Sequence, residues 1–172
     1  MDSKDISISS PIEKKIAWAE ACFQKSGRQL LADKTIADLL DRIERAIHAS
    51  HAEMKKTGII ALCQECEQEQ GGSCCGAGME KRYDGRLILI NLLLDVNIPQ
   101  TRRDSKSCYF LGEEGCLLQA RHVICINYIC RKITDRIDPI KINALREKEG
   151  EEVNLLFLLH EHVKKSLKGQ AA

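Results

Sequence analysis

The residues of this chain whose types and spacing could do chemistry are its cysteines, since eight of the nine lie within one stretch. The eight are Cys63, Cys66, Cys74, Cys75, Cys108, Cys116, Cys125 and Cys130, while Cys22 lies far from them. Disulfides are rare in the reducing cytosol, where clustered cysteines more often ligate metal. The N-terminal sequence has no basic segment followed by an apolar one, so we expect a cytoplasmic protein rather than a secreted one. We therefore predict that the eight cysteines bind metal.

The first four of these cysteines form two pairs whose spacings direct their side chains differently. Cys63 and Cys66 form a Cys-x2-Cys pair, a spacing at which a tight turn can direct two thiolates at one metal. A redox-active dithiol can have the same spacing, so this pair alone does not distinguish metal binding from redox activity. Cys74 and Cys75 are adjacent, and adjacent side chains point to opposite sides of an extended chain. These two thiols are therefore expected to diverge.

The last four cysteines also form pairs whose side chains would lie far apart if their segments were regular helices or strands. In a helix, Cys125 and Cys130 would lie about 140° apart around the axis. In a hairpin closed by a left-handed Gly115, Cys108 and Cys116 would share a face but lie about 13 Å apart along the strands. Neither pair could then bind one ion unless the chain turned sharply. We expect either irregular segments or a division of the eight ligands, and favour two four-thiolate centres or one polynuclear centre.

The residues around the cysteines suit an anionic metal centre. Gly71, Gly72, Gly76 and Gly78 surround the Cys-Cys pair and would let backbone N–H groups approach sulfur, although a flexible loop would use glycine equally well. From residue 99 to residue 136 there are seven basic and four acidic side chains. This excess of positive charge could offset thiolate charge, or could be a solvated face.

The order of these motifs resembles a known family. Cys-x2-Cys, then Cys-Cys, then "CYFLGEEGCLLQARHVICINYIC" is similar to the YkgJ-like cysteine-cluster family, described as a zinc- or iron-chelating domain. All eight cysteines have a counterpart there, but Arg121-His122 stands where the family usually has Arg-Pro. The role of His122 as an extra ligand therefore stays open. The resemblance implies metal chelation and no particular reaction.

The nature of the metal is not decided by ligand type, because thiolates bind both zinc and iron–sulfur clusters. The chain lacks the Cys-x2-Cys-x2-Cys run of ferredoxins, and it has only one of the two Cys-x2-Cys knuckles of a zinc ribbon. We expect an iron–sulfur cluster or zinc, with iron–sulfur slightly favoured.

Three function classes follow from a metal-binding cysteine cluster. A structural or cluster-binding module that presents a surface to a protein partner is preferred. A metal-dependent or redox enzyme would need an open coordination position near His122, Arg102 or Arg103. A metal storage or delivery protein could use Cys74 and Cys75 as a reactive dithiol.

The composition of the chain also restricts the classes of partner that we expect. The 172 residues carry a net charge of +1 and only seven aromatic side chains, which predicts no nucleic-acid partner. The most apolar runs are too short to cross a bilayer, so no membrane partner is expected. A metal ion or cluster, with a possible protein partner, remains.

The elements that must position the cysteines are predicted to be mainly α. We expect a single domain, 1–172, of amphipathic helices packed around an irregular, metal-stapled cysteine-rich middle that could include a short β-hairpin. N-terminal helices occupy 1–60, the cysteine-cluster metal-binding core 61–137 and a C-terminal helix 138–172.

Local signals predict where several helices begin and end. A capping box at Ser10 starts a helix that stops near Gly27, and a second helix runs from about Asp33 to Gly58. Asp84 is expected to cap an apolar helix that Pro99 ends, although the Leu and Ile content of this run would also allow a strand. A hairpin turns at residues 112–115, and the C-terminal helix opens at residues 138–139, with a break at Gly150.

The remaining histidines and Cys22 are expected to have structural roles. His48 and His51 lie one turn apart, close enough to share a metal, but are more typical of surface or helix-packing residues. His160 and His162 are expected on the solvent side. Cys22 is expected to be a buried or idle thiol.

Overall fold

The computed structural model describes residues 6–70 and 74–169, and within these residues the chain is mainly helical, which confirms the predicted class. The helices are α1 (Ile12–Ala32), α2 (Lys34–Thr57), α3 (Ile59–Gln70), a 3₁₀ helix (Met79–Arg82), α4 (Gly85–Leu93), α5 (Val123–Asn127), α6 (Arg131–Arg136) and α7 (Pro139–Gly169). Since α3 begins at Ile59, the predicted boundary at residue 60 falls inside a helix. In the described residues, no helix is long and apolar enough to cross a membrane.

The start and end of α2 are set by local chemistry, as predicted. The Asp33 carboxylate accepts hydrogen bonds from the backbone N–H groups of Thr35 and Ile36, at 2.9 and 3.1 Å. Gly58 ends the helix with φ of 85°, a left-handed conformation that glycine adopts without strain.

Two predicted helix boundaries are wrong. No side chain caps α1, which begins after Pro11 and continues through Gly27 to Ala32. Gly27 is buried, and a Cβ atom there would lie 3.0 Å from the ring of Phe23, so this glycine makes room for an aromatic side chain. The helix α7 also continues through Gly150, because one interior glycine costs only about 1 kcal/mol and tertiary packing can outweigh that.

The main core forms where α2 packs along α7 and α1 packs along α4. Within α4, the side chains of Ile88, Leu89 and Ile90 are all fully buried, which explains why this segment is apolar on every side. The Asp84 carboxylate caps it by accepting from the Leu87 N–H at 2.8 Å, as predicted. The helix ends at Leu93, before the predicted stop at Pro99.

A second, smaller hydrophobic cluster joins α3, α6 and the first turns of α7. Its buried members are Ile59, Ile133 and Leu145. Cys63 and Cys130 pack against it, whereas Cys75 and Cys125 pack against the main core. The cysteines are therefore distributed between two hydrophobic environments.

The predicted hairpin is reduced to a turn with one isolated antiparallel bridge, between Leu111 and Cys116. Gly115 is left-handed, with φ of 132°, and its carbonyl accepts from the Gly112 N–H at 2.8 Å. Paired strands cannot extend from this turn, because the Leu111 N–H donates to the Cys108 carbonyl at 3.0 Å and the chain turns again. No strand is present in the described ranges.

Candidate metal centre

Backbone pairing brings two distant cysteine segments side by side. The Cys108 N–H donates to the Cys75 carbonyl at 2.6 Å, and the next residues, Gly76 and Ser107, form an antiparallel bridge. Among the predicted glycines, Gly78 is left-handed, with φ of 102°, whereas Gly71 and Gly72 lie outside the described residues.

The second turn brings Cys116 back toward Cys108. Since the chain folds at residues 108–111 and pairs Leu111 with Cys116, the separation of about 13 Å expected along straight strands does not apply. Burial raises the pKa of Cys108, while the backbone N–H of Phe110 acts in the opposite direction. Burial likewise raises the pKa of Cys116, to about 11, while the backbone N–H of Leu118 acts in the opposite direction. Part of Cys116 is nevertheless exposed. In both cases the amide two residues later donates toward sulfur.

Tyr83 connects Cys125 to this region. The Tyr83 hydroxyl donates to the Cys125 sulfur at 3.7 Å and accepts from the backbone N–H of His122 at 3.1 Å. Tyr83 is 1% exposed, and its pKa is raised first by burial and then by Cys116 and Cys125. Its phenol therefore lies beside both thiols.

We call Cys75, Cys108, Cys116 and Cys125 the inner group. The pKa of Cys75 is raised to about 12, mainly by burial. The other three inner thiols and Cys74 also contribute to this shift, so they lie within electrostatic range of Cys75.

We call Cys63, Cys66, Cys74 and Cys130 the outer group. The pKa of Cys63 is raised to about 11, mainly by burial, and its three partners in this group add to the shift. Cys63 and Cys66 lie one turn apart on α3, on the same side of the helix. The predicted tight turn at this pair is therefore wrong, because α3 continues through both residues.

The outer group is held mainly by α6 and α3. Cys130 is the residue at the N-terminal cap of α6. The Lys132 ammonium donates to the Cys66 sulfur at 3.7 Å, and Arg136 forms an exposed ion pair with Glu65 at 3.1 Å. The Lys132 contact therefore places a positive charge beside the Cys66 sulfur.

The two groups meet at the Cys74–Cys75 peptide bond. Cys74 interacts electrostatically with Cys130, Cys66 and, less strongly, Cys125, while Cys75 lies with the inner group. Cys125 and Cys130 are also separated, because Cys125 lies in α5, which ends at Asn127, whereas Cys130 caps α6.

The thiols approach one another without converging on a point. In the described residues, no three side chains of His, Cys, Asp or Glu are close enough to hold a metal ion. All nine cysteines are described, and none forms a disulfide.

Arg121 supplies buried positive charge beside the inner group. It is 8% exposed, its Nη2 lies 3.7 Å from the carboxylate of Glu152, and its charge acts on the Cys116 thiol. Its Nε and Nη2 atoms are buried without a hydrogen-bond partner. Of the positive charges counted in the sequence, Lys132 lies 3.7 Å from the Cys66 sulfur, while Arg121 and Arg102 act electrostatically on Cys116 and Cys108.

Arg102 and Arg103 also stabilise loop structure. Arg102 forms an ion pair with the buried Glu80 at 2.7 Å and also donates to the Ser107 carbonyl. Arg103 donates to the Gly112 carbonyl at 3.1 Å. Both guanidinium groups therefore shape the loops that carry the inner cysteines.

The histidines lie outside both groups. The Nδ1 atom of His122 caps α5 by accepting from the Ile124 N–H at 3.2 Å. His160 was expected on the solvent side, but its Nε2 lies 2.9 Å from the Asp84 carboxylate. His48 and His51 are exposed on α2, as their predicted surface role requires.

Sequence reasoning missed two residues that shape the inner group, Tyr83 and Asn91. The fully buried Asn91 amide donates to the Ala120 carbonyl at 2.9 Å and accepts from the Ala120 N–H at 3.0 Å. These two hydrogen bonds hold the segment between Cys116 and Cys125 in place. No local pattern could have revealed these roles, since each contact spans 29 residues or more.

Comparisons with protein-family models, with curated proteins and with solved structures found no match to this chain. The resemblance to the YkgJ-like family therefore stays a prediction.

Proposed function

We propose that this protein binds metal through its eight clustered cysteines, as iron–sulfur clusters or zinc, and serves as a structural or cluster-binding module. The observation that supports this best is that eight cysteines lie between residues 63 and 130, where backbone pairing joins Cys75 to Cys108 and where electrostatic interactions relate the thiols as an inner and an outer group. Each group has the number of ligands that a four-thiolate centre requires.

The donor chemistry fits such a centre. Thiolates are the ligands of zinc and iron–sulfur sites, and hydrogen bonds to sulfur tune both. The inner group receives such bonds from the Tyr83 hydroxyl and from the amides of Phe110 and Leu118. Arg121 and Lys132 would offset the net negative charge of four thiolates around a cation. The bound metal would link the cysteine segments to one another. It would also supply any redox chemistry.

The sequence slightly favours iron–sulfur over zinc, because the chain has only one of the two Cys-x2-Cys knuckles of a zinc ribbon. A single zinc ion needs Zn–S distances of about 2.3 Å, so its four sulfur atoms must lie about 3.8 Å apart. The described side chains place no three donors close enough for one ion. Binding one ion would therefore require the thiols to move closer together.

The enzyme alternative is less well supported. It needs basic or imidazole groups that are available to a substrate, but Arg102 and Arg103 bind loop carbonyls and the His122 Nδ1 caps a helix. Metal delivery has one feature in its favour, which is the exposure of Cys74.

The test is anaerobic purification followed by metal and sulfide analysis and a visible spectrum. We expect either a brown protein with iron and acid-labile sulfide in equal amounts, or a colourless protein with two zinc ions per chain. Cys22→Ser is the matched control, because Cys22 lies outside both groups, and it should retain the full metal content. A protein that binds no more metal than a variant with all eight clustered cysteines changed to serine would refute the proposal.

A further inference from the structure

Cys75 and Cys108 lie opposite each other across a short antiparallel ribbon. Gly76 and Ser107 form its central bridge, and the Cys108 N–H donates to the Cys75 carbonyl on one side of that bridge, at 2.6 Å. A second backbone hydrogen bond, of 2.8 Å, joins the two segments on the other side. Because directly opposite residues of such a ribbon direct their side chains to the same face, both thiols leave it on one side.

This backbone arrangement places the pair within the range of a disulfide. Opposite residues joined by a backbone hydrogen bond have Cα atoms about 5.5 Å apart, and disulfides mostly bridge Cα atoms about 5.5–6 Å apart. The Cβ atoms of such a pair lie about 4.5–5.5 Å apart, whereas a disulfide needs about 3.8 Å. Bond formation would therefore draw the segments together by about 1 Å, and the resulting strain would make the bond reducible.

A partly buried ion pair holds the two segments in this register. The Glu80 carboxylate accepts from the backbone N–H of Gly78, on the first segment, at 2.9 Å. The same carboxylate pairs with Arg102 at 2.7 Å, and Arg102 also donates to the Ser107 carbonyl on the second segment. Glu80 is 3% exposed, so water screens this ion pair weakly. The two cysteines are therefore aligned before any bond forms between their sulfur atoms.

The two thiols differ in their access to solvent. Cys108 is buried in the main core, whereas Cys75 is half-buried and packs against that core. A small oxidant would therefore reach Cys75 first, with Cys108 as the neighbouring second thiol. This order suits an exchange in which one thiol forms a mixed disulfide and the other resolves it.

We propose that Cys75 and Cys108 are a redox-active pair, which a low-molecular-weight disulfide such as oxidised glutathione converts to a reversible cross-strand disulfide. The Cys75 thiolate attacks the small disulfide and releases one small thiolate, and the Cys108 thiolate then attacks the Cys75 sulfur and releases the second. Two electrons pass to the small disulfide, and the two protons lost by the cysteines are taken up by the released thiolates. The inference goes beyond the proposed function and does not require it, because the exchange takes place in the metal-free chain.

The test is equilibration of the full, metal-free chain in a mixture of reduced and oxidised glutathione. The reaction is stopped with acid, the remaining thiols are alkylated, and tryptic peptides are analysed by mass spectrometry. Cys75 lies on the peptide 57–81 and Cys108 on the peptide 107–121. We therefore expect these two peptides to be joined by a disulfide, and to separate again when reduced glutathione is added in excess.

Because each of these peptides contains further cysteines, single substitutions locate the bond. In Cys75→Ser and in Cys108→Ser the joined peptides should fall at least about tenfold, since a serine then lies opposite the remaining thiol. Cys74→Ser and Cys116→Ser are the matched controls, because each removes another thiol from one of the same peptides. Both controls should retain the joined peptides within about twofold of the parent chain.

A second measurement tests whether the fold aligns the pair. Arg102→Ala removes the link between Glu80 and the Ser107 carbonyl, so the equilibrium constant for forming the disulfide should fall about tenfold. Arg103→Ala is the matched control, because Arg103 donates to the Gly112 carbonyl instead, and it should leave the constant within about twofold. Both variants are compared while circular dichroism shows native helix content.

The outcomes separate the inference from the proposed function. The inference would be overturned if the joined peptides were absent, or if they survived in Cys75→Ser or Cys108→Ser. An equilibrium constant unchanged in Arg102→Ala would contradict the alignment on which the inference depends. A chain that forms this disulfide but binds no metal in its reduced state would refute the proposed function alone.

Discussion

The Asn91 side chain offers the sharpest test of how the fold positions the inner cysteines. It is fully buried in α4, where its amide exchanges two hydrogen bonds with the backbone of Ala120, at 2.9 and 3.0 Å. Ala120 is itself 1% exposed, so water cannot replace these bonds. The substitution Asn91→Ala would leave one buried N–H and one buried C=O without their partner.

The expected cost follows from those two groups. A buried polar group that loses its partner costs about 1–3 kcal/mol, so the pair should lower the free energy of unfolding by about 2–6 kcal/mol. For a chain of this length that corresponds to a fall in Tm of about 4–24 °C. The segment between Cys116 and Cys125 should also become less constrained, which should speed loss of metal from the inner group.

The assay is denaturant unfolding and thermal melting at equal metal occupancy. Asn154→Ala is the matched control, because it removes the same amide from an exposed position on α7, and its effect should stay within about 0.5 kcal/mol. A loss below about 1 kcal/mol in Asn91→Ala would refute the view that this side chain holds the inner segment.

Three further predictions follow from the same region. Tyr83→Phe should weaken metal binding at the inner group about 10–100-fold, measured by chelator competition, and unchanged affinity would contradict a role for the hydroxyl. Asp84→Ala should cost about 1 kcal/mol at neutral pH through loss of the α4 cap. Burial raises the pKa of Asp84, but bonds from His160 and Leu87 outweigh it and hold that pKa below its usual value. The stabilisation is therefore present at neutral pH and lost as pH falls through the lowered pKa, so unfolding curves of variant and parent should converge in acid. Gly85→Ala should cost about 1–3 kcal/mol in melting experiments, because its Cβ would clash with the Trp18 ring, and an unchanged Tm would contradict that packing.

The adjacent residues Cys74 and Cys75 connect the outer and inner groups. Their Cα atoms are separated by one peptide bond, about 3.8 Å, yet their thiols belong mainly to different groups. Rearrangement of the outer group would therefore act directly on the backbone that positions the inner one. Because Cys75 is also paired with Cys108, the inner side of this link is the more constrained.

Local sequence signals were reliable where a short-range interaction decides the structure. Asp33 and Asp84 cap helices because a carboxylate can reach N–H groups two or three residues later. Gly58 ends α2 because it adopts a left-handed conformation. Gly27 and Gly150 gave misleading signals, since in a helix interior a glycine's effect depends on what packs against it.

The sequence by itself determined that this chain is mainly helical, where several helices begin and end, and that eight of its nine cysteines lie between residues 63 and 130. Only the tertiary structure decided which thiols lie together. The chain turns at residues 108–111 and pairs Leu111 with Cys116, α5 ends at Asn127 before Cys130, and α3 continues through Cys63 and Cys66. The reason is physical: caps and periodicity act within about four residues, whereas the grouping depends on contacts such as Tyr83 with Cys125, which no local pattern encodes.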